Sequence, residues 1–147
     1  MPMSIQRLSA VIVLLLFAIP AVAQTMPSTV GEADRQAIRM VIEEQLGAFQ
    51  RDDADAAFAQ ATPNIRKIFQ TADQFMRMVR GGYQAVYRPQ QVEFRDIVDI
   101  DGAPVQRVFF IGPDGVPVIA LYPMEKQADG TWKIGGCYLV PAGDGLA

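Results

Sequence analysis

The stretch Val92–Met124 constrains the fold of this chain most, because it has the pattern of two consecutive β-hairpins. Asp101-Gly102 predicts the first turn, since a two-residue type I′ turn needs positive φ at both central positions. Successive side chains of a strand point to opposite sides of the sheet, so counting outward from that turn pairs the residues of the two strands and gives a sheet with one mainly apolar face. The predicted pairs on this face are Ile100 with Ala103, Val98 with Val105, Asp96 with Arg107, Phe94 with Phe109, and Val92 with Ile111.

The later turns extend the sheet to four long strands. Pro113-Asp114-Gly115 predicts the second turn with Gly112 opposite Gly115, and Asp129-Gly130 leads into a last strand over Thr131–Val140. These registers predict that one row crosses the face that meets the helices, and that Tyr122 lies on the same face. The row consists of Asp96, Arg107, Ala120 and Tyr138.

Helical patterns occupy the first half of the chain. Thr29 begins a capping-box pattern that predicts a helix to about Gln50, with apolar residues at helical spacing. Three further helices are predicted. One begins at Asp53 and runs through Ala61, one begins at Thr62-Pro63 and runs through Phe69, and one begins at Thr71 and ends at Gly81-Gly82. Tyr83–Tyr87 is expected to be a short edge strand and Gln24–Ser28 a flexible lead. Helices followed by an antiparallel meander predict an α+β domain with the helices on one face of a curved sheet.

The N-terminus has the three parts of a secretory signal peptide. Arg7 supplies the positive charge, Leu8–Ile19 is apolar apart from Ser9, and Ala21-Val22-Ala23 is an A-x-A cleavage site. The apolar run is shorter than the roughly 20 residues that span a bilayer. We therefore expect cleavage after Ala23, a periplasmic or secreted protein, one domain over residues 24–147, and no membrane contact after cleavage.

Composition excludes several classes of site. The chain has 13 Lys and Arg residues against 16 Asp and Glu, so losing Arg7 changes the formal net charge from −3 to −4, with no basic run that would suit nucleic acid. It has no histidine, which excludes His-dependent triads and His metal sites. Cys137 is the only cysteine, and no carboxylate spacing is typical of a metal loop. We expect neither a metal nor a cofactor.

Several segments resemble the bacterial domain-of-unknown-function family 4864. The resemblance implies an NTF2-like, cone-shaped α+β domain, usually exported from the cytoplasm of proteobacteria. It supplies no catalytic residues, because the family has no assigned activity, and this superfamily hosts enzymes, binding domains and assembly modules alike. The segments that carry it are Ala56–Ile65, Phe75–Tyr83, Val86–Pro89, Gln106–Val108 and Asp129–Ile134.

The predicted row leaves two functions open. In one, Asp96 and Arg107 only neutralise each other, and the domain binds a small apolar or anionic molecule, or a protein, without chemistry. In the other, a hydrolase or isomerase, Asp96 is a base, Arg107 orients an anionic or carbonyl group and Tyr138 donates a hydrogen bond. Binding is favoured, because an arginine beside an aspartate lowers the pKa of the carboxyl and weakens it as a base.

The opposite face of the predicted sheet is also apolar. Since the helices cover only one face, the other needs a second cover. We expect a homodimer; the alternative is that the C-terminal tail or the Gln24–Ser28 lead folds over this face. The predicted interface residues are Ile97, Val108, Phe110, Ile119, Leu121 and Leu139.

Overall fold

The computed structural model describes residues 25–143 and shows an α+β fold, as predicted. The predicted signal peptide, Met1–Ala23, lies outside the described residues, so its cleavage stays a prediction. The helices are α1 (Glu32–Gln50), α2 (Ala54–Ala59), α3 (Pro63–Phe69), α4 (Ala72–Gly82) and α5 (Gln84–Tyr87). The strands are β1 (Thr25–Pro27), β2 (Gln91–Ile100), β3 (Ala103–Ile111), β4 (Pro117–Lys126), β5 (Trp132–Ile134) and β6 (Tyr138–Pro141).

The strands form one curved antiparallel sheet in the order β1-β2-β3-β4. Strand β4 carries two short partners at its far edge: β5 pairs with Met124–Lys126, and β6 pairs with Val118–Leu121. Strand β1, expected to be a flexible lead, instead pairs with the end of β2. Within the described residues, no helix is long and apolar enough to cross a membrane.

The helices pack on one face of this sheet. Side chains from α1, α4 and alternate positions of β3 and β4 form a continuous buried core, in which Ile42, Phe49, Val108, Phe110 and Tyr122 are almost fully enclosed. Burial of this apolar surface is the main force that holds the two layers together.

Three of the four predicted helix starts are confirmed. The Asp53 carboxylate accepts the backbone N–H of Ala56 at 3.0 Å, and the Thr62 and Thr71 hydroxyls accept the corresponding bonds of α3 and α4. The Thr29 prediction is wrong: α1 begins after Gly31, without a side-chain cap. The predicted edge strand over Tyr83–Tyr87 is also wrong, because this segment is the short helix α5.

The first hairpin turns as predicted and then departs from the predicted register. Asp101 and Gly102 have φ of 51° and 82°, and the pairs nearest the turn are confirmed. Beyond them a bulge places both Arg95 and Asp96 opposite Arg107. Phe94 and Ile97 are three residues apart, so only an extra residue lets both face the helices. The predicted pairs of Phe94 with Phe109 and of Val92 with Ile111 are therefore wrong; the observed partners are Val108 and Phe110.

The second hairpin closes one residue later than predicted. Gly112 N–H donates to the carbonyl of Val116, and Gly115 N–H donates to the carbonyl of Gly112 inside the loop. Asp114 Oδ1 accepts the Val116 N–H, which extends the loop by one residue. Ala120 consequently lies opposite Val108, and Arg107 lies opposite Leu121. The predicted neighbours Arg107 and Ala120 are on opposite faces of the sheet.

The predicted last strand is two strands. Glu125 pairs with Lys133 and Met124 pairs with Ile134, but the chain breaks away after Ile134 and returns with Leu121, rather than the predicted Ala120, opposite Tyr138.

These shifts correct the predicted interface. Of its six residues, Ile97, Val108 and Phe110 belong to the helix-side core and Leu139 packs against that core. Only Ile119 and Leu121 lie on the outer face, which is the sheet face turned away from the helices.

Candidate functional site

Three residues of the predicted site row, Asp96, Arg107 and Tyr138, share the outer face, whereas Ala120 belongs to the helix-side core. Arg107 Nη2 lies 2.6 Å from Asp96 Oδ1, and Leu121 separates Arg107 from Tyr138. The Asp96 side chain keeps 54% of its exposure, so the pair is not enclosed beneath the helices as predicted. Tyr122 lies apart from them, fully buried on the helix side.

A separate cavity of about 370 Å³ lies between the helices and the segment that links β5 to β6. Its volume is within the range of small-molecule sites. Neither Asp96 nor Arg107 lines it, so Asp96 is not placed to act as a base on a molecule held there. The lining side chains come from α1 (Gln45 and Phe49), the α2–α3 connection (Ala61), α3 (Ile65, Ile68 and Phe69), α4 (Phe75, Met78 and Val79), the start and body of α5 (Tyr83 and Val86), and residues 134–138.

Two glycines form the wall of the cavity on the sheet side. A Cβ atom on Gly135 would lie 2.6 Å from Glu125 Oε2 and 3.3 Å from the carbonyl oxygen of Pro123, and one on Gly136 would lie 3.3 Å from the ring of Tyr138. The backbone therefore passes close to β4 and adds no side chain to the cavity at these two positions. The link stays in place because Gly135 N–H donates to the Pro123 carbonyl at 2.8 Å.

Aromatic side chains form the helix side of the cavity. Phe75 on α4 packs against Phe49, Phe58 and Phe69, with ring centroids 5.4 to 6.3 Å apart. Aromatic pairs at such distances add stability beyond their buried area. The cavity thus has a rigid apolar wall, while Ile68, which is 62% exposed, marks its opening to solvent.

Surface charges hold α5 against the end of α1. Asp52 binds the Tyr87 hydroxyl and, at 3.0 Å, the Arg88 guanidinium, which also donates to the carbonyl of Phe49 at 2.6 Å. The Tyr87 hydrogen bond and then the positive charges of Arg88 and Arg80 lower the pKa of Asp52. These contacts position Tyr83 and Val86 against the cavity.

The polar side chains that line the cavity are an amide, a thiol and two tyrosine hydroxyls, and none is Asp, Glu, Lys or Arg. The Tyr83 hydroxyl donates to the carbonyl of Cys137 at 3.1 Å. Cys137 is half-buried as a residue, yet burial of its thiol raises the pKa to about 12, which makes it a poor nucleophile. Burial also raises the pKa of Tyr122, whose hydroxyl is beside this thiol and has no hydrogen-bond partner of good geometry among the described residues.

Gln45 is the polar residue that the sequence interpretation missed. It is 4% exposed, and its Nε2 donates to the carbonyl of Ala57 at 3.1 Å. The signal was present, because position 45 follows Ile38 by seven residues and Ile42 by three and so lies on the buried face of α1. Across residues 25–143, no group of three or more His, Cys, Asp or Glu side chains is arranged to hold a metal ion.

Comparison with known proteins gives a family and no function. Neither a search of curated proteins nor one of solved structures found a match. Residues 31–145 match the family described as a domain of unknown function, DUF4864, and this range includes all the residues that line the cavity. The chain therefore belongs to the DUF4864 family.

Proposed function

We propose that this domain is a binding module for a small apolar molecule, held without chemistry in the cavity between the helices and the β5–β6 link. The observation that carries the proposal is the lining: its side chains are mostly aliphatic or aromatic, and none is Asp, Glu, Lys or Arg. Apolar pockets with a few placed polar groups are typical of small-molecule sites. Of the two ligand types left open by the sequence, this lining favours the apolar one, because no cation is present to balance an anion.

The test uses the uncharged fluorophore N-phenyl-1-naphthylamine. We expect saturable binding to the mature protein, and we expect Ile65→Glu to abolish it, because the new carboxylate would lie in the apolar lining. Lys67→Glu is the matched control, since Lys67 is exposed on the same helix and does not line the cavity. Binding that does not saturate, or that is equal in the two variants, would refute the proposal.

We also propose that the domain has the NTF2-like cone fold. Helices packed on one face of a curved antiparallel sheet support this placement, as does a cavity enclosed between the two layers.

Export is part of the same proposal and rests on the sequence of the N-terminal segment. The intact mass of the protein from its native host tests it: the expected chain begins at Gln24, and a mass that includes residues 1–23 would rule cleavage out.

A homodimer is proposed through the outer face of the sheet. Phe109, Leu121 and Val140 are half-buried on this face around the fully covered Ile119. The ion pairs Asp96–Arg107 and Glu93–Arg95 lie on the same face, toward β2. An apolar centre beside self-complementary charges suits a twofold contact with a second copy.

A further inference from the structure

One mostly buried side chain of the cavity lining, the amide of Gln45, bonds within the protein through its nitrogen and leaves its oxygen without a donor from residues 25–143. The Gln45 amide lies on α1 among apolar side chains and is 4% exposed. Its Nε2 donates to the carbonyl of Ala57, which ties α1 to α2. A carbonyl oxygen only accepts, so the amide nitrogen must face Ala57, and this fixes the position of Oε1.

Gln45 Oε1 has no donor among the described residues. Among residues 25–143, the fully enclosed side-chain atoms without a hydrogen-bond partner are Arg95 Nε and the Tyr122 hydroxyl, so Gln45 Oε1 is not sealed off and can be reached from the cavity. The hydrogen bond to Ala57 uses the amide nitrogen and leaves the oxygen free to accept one from a molecule in the cavity. Because Gln45 lines the cavity, a molecule bound there is placed to supply the missing donor.

The charge of that molecule follows from the other lining groups. An ammonium donor would have no carboxylate in the lining to balance it, and a carboxylate ligand would have no cation. The nearby hydroxyl of Tyr83 already donates to the carbonyl of Cys137.

Taking the proposed function as its basis, we infer that the ligand is an uncharged, largely apolar molecule with a hydroxyl or amide N–H group that donates to Gln45 Oε1. Apolar side chains of α3 and α4 enclose the rest of the molecule. Gln45 is thus the residue that selects a neutral hydrogen-bond donor over an equally apolar molecule without one.

The experiment compares probes of one length as competitors for the bound fluorophore N-phenyl-1-naphthylamine. The probes are 1-octanol, 1-chlorooctane, octanoate and octylammonium. For the wild-type protein we expect 1-octanol to compete at about fivefold to tenfold lower concentration than 1-chlorooctane, the effect of one net hydrogen bond. The two charged probes should compete more weakly than 1-octanol.

Gln45→Met keeps the size of the side chain and should remove the preference for 1-octanol, while Gln36→Met, the same change at an exposed position of α1 that does not line the cavity, should keep it. If Gln45→Met does not fold, the NMR signals of the Gln45 side-chain amide in the wild-type protein replace it: they should shift with 1-octanol more than with 1-chlorooctane. Equal competition by these two probes, tighter competition by octanoate or octylammonium, or loss of the preference in Gln36→Met as well would each overturn the inference.

The outcomes separate the two proposals. If 1-chlorooctane displaces the fluorophore as well as 1-octanol does, the apolar site stands and the role of Gln45 falls. If the fluorophore itself does not bind, both fall.

Discussion

At the scale of single residues, buried polar side chains decide how the sheet and helices fit together. Gln106 is 3% exposed and faces the helices. Its Nε2 donates to the carbonyls of Arg95 at 2.8 Å and Arg107 at 2.9 Å, and it approaches that of Asp96 at 3.4 Å. The amide therefore satisfies carbonyls on both strands at the bulge.

Gln106→Ala should lower the free energy of unfolding by about 2 kcal/mol, because buried carbonyls would lose their donor. Urea unfolding measures this directly. Gln91→Ala is the control, since Gln91 is exposed on β2 and its side chain forms no hydrogen bond with the described residues. A Gln106 variant within about 0.5 kcal/mol of wild type would contradict the proposed role.

The buried side chains of Cys137 and Tyr122 should make the free energy of unfolding fall at alkaline pH. Burial raises the pKa of both groups, for Cys137 from 9.0 to about 12, so the folded protein keeps these protons after the unfolded chain has released them. The stabilisation is complete below the unfolded pKa and is lost as pH rises through the interval to the folded pKa. Each group should lower the free energy of unfolding by up to about 1.4 kcal/mol per pH unit, starting near pH 9 for the cysteine.

Urea unfolding between pH 8 and pH 11 tests this dependence. Cys137→Ala should remove the part that begins near pH 9, and Tyr122→Phe should remove the part that begins near the ordinary tyrosine pKa of about 10. Identical pH profiles for wild type and both variants would show that neither group contributes.

At the scale of elements, two threonines that both match the capping pattern differ in whether they cap a helix in the structure. Thr71 caps α4 through a 3.2 Å bond to Gln74 N–H, whereas Thr29 precedes α1 without capping it. Thr71→Ala should therefore cost about 1 kcal/mol and Thr29→Ala much less. Both sites are exposed, so chemical denaturation of the two variants compares caps without a packing difference. Equal losses would mean that α1 begins at Thr29 after all.

The sequence predicted local features well and long-range ones poorly. Asp101-Gly102 determines its own turn, and Asp53, Thr62 and Thr71 bind their own helices. The bulge in β2 depends on which side chains meet α1, and the second hairpin depends on one Asp114 hydrogen bond. Each of these features shifts the register by one residue, which is enough to exchange the two faces of a strand.

The sequence did not predict the cavity, because the cavity also depends on contacts between distant parts of the chain. Its residues come from four helices and the β5–β6 link, so no short motif marks the cavity. Only two signals were readable in advance: the pair Gly135-Gly136 inside a predicted strand, where glycine indicates close approach of the backbone, and Gln45 on an apolar helix face.

At the scale of the whole molecule, the two faces of the sheet have different roles. The helices cover one face and enclose the cavity there, while the outer face has no second layer among residues 25–143. Neighbouring strands and side chains already shield Val98, Val105 and Ile119, each no more than 6% exposed. A second copy would cover the half-buried side chains of this face, which are Phe109, Leu121 and Val140.

The mature protein should therefore sediment as a dimer at micromolar concentration in analytical ultracentrifugation. A contact of standard size, about 800 Å² per partner, would include the apolar centre and the nearby ion pairs. Leu121→Glu should produce monomers while the helical circular dichroism remains, because two carboxylates would face each other near a twofold axis. Met40→Glu is the control: Met40 is 66% exposed on α1, on the helix side, so its charge should leave the dimer intact. A monomeric wild-type protein, or dissociation by the Met40 change instead, would exclude the outer face as the contact.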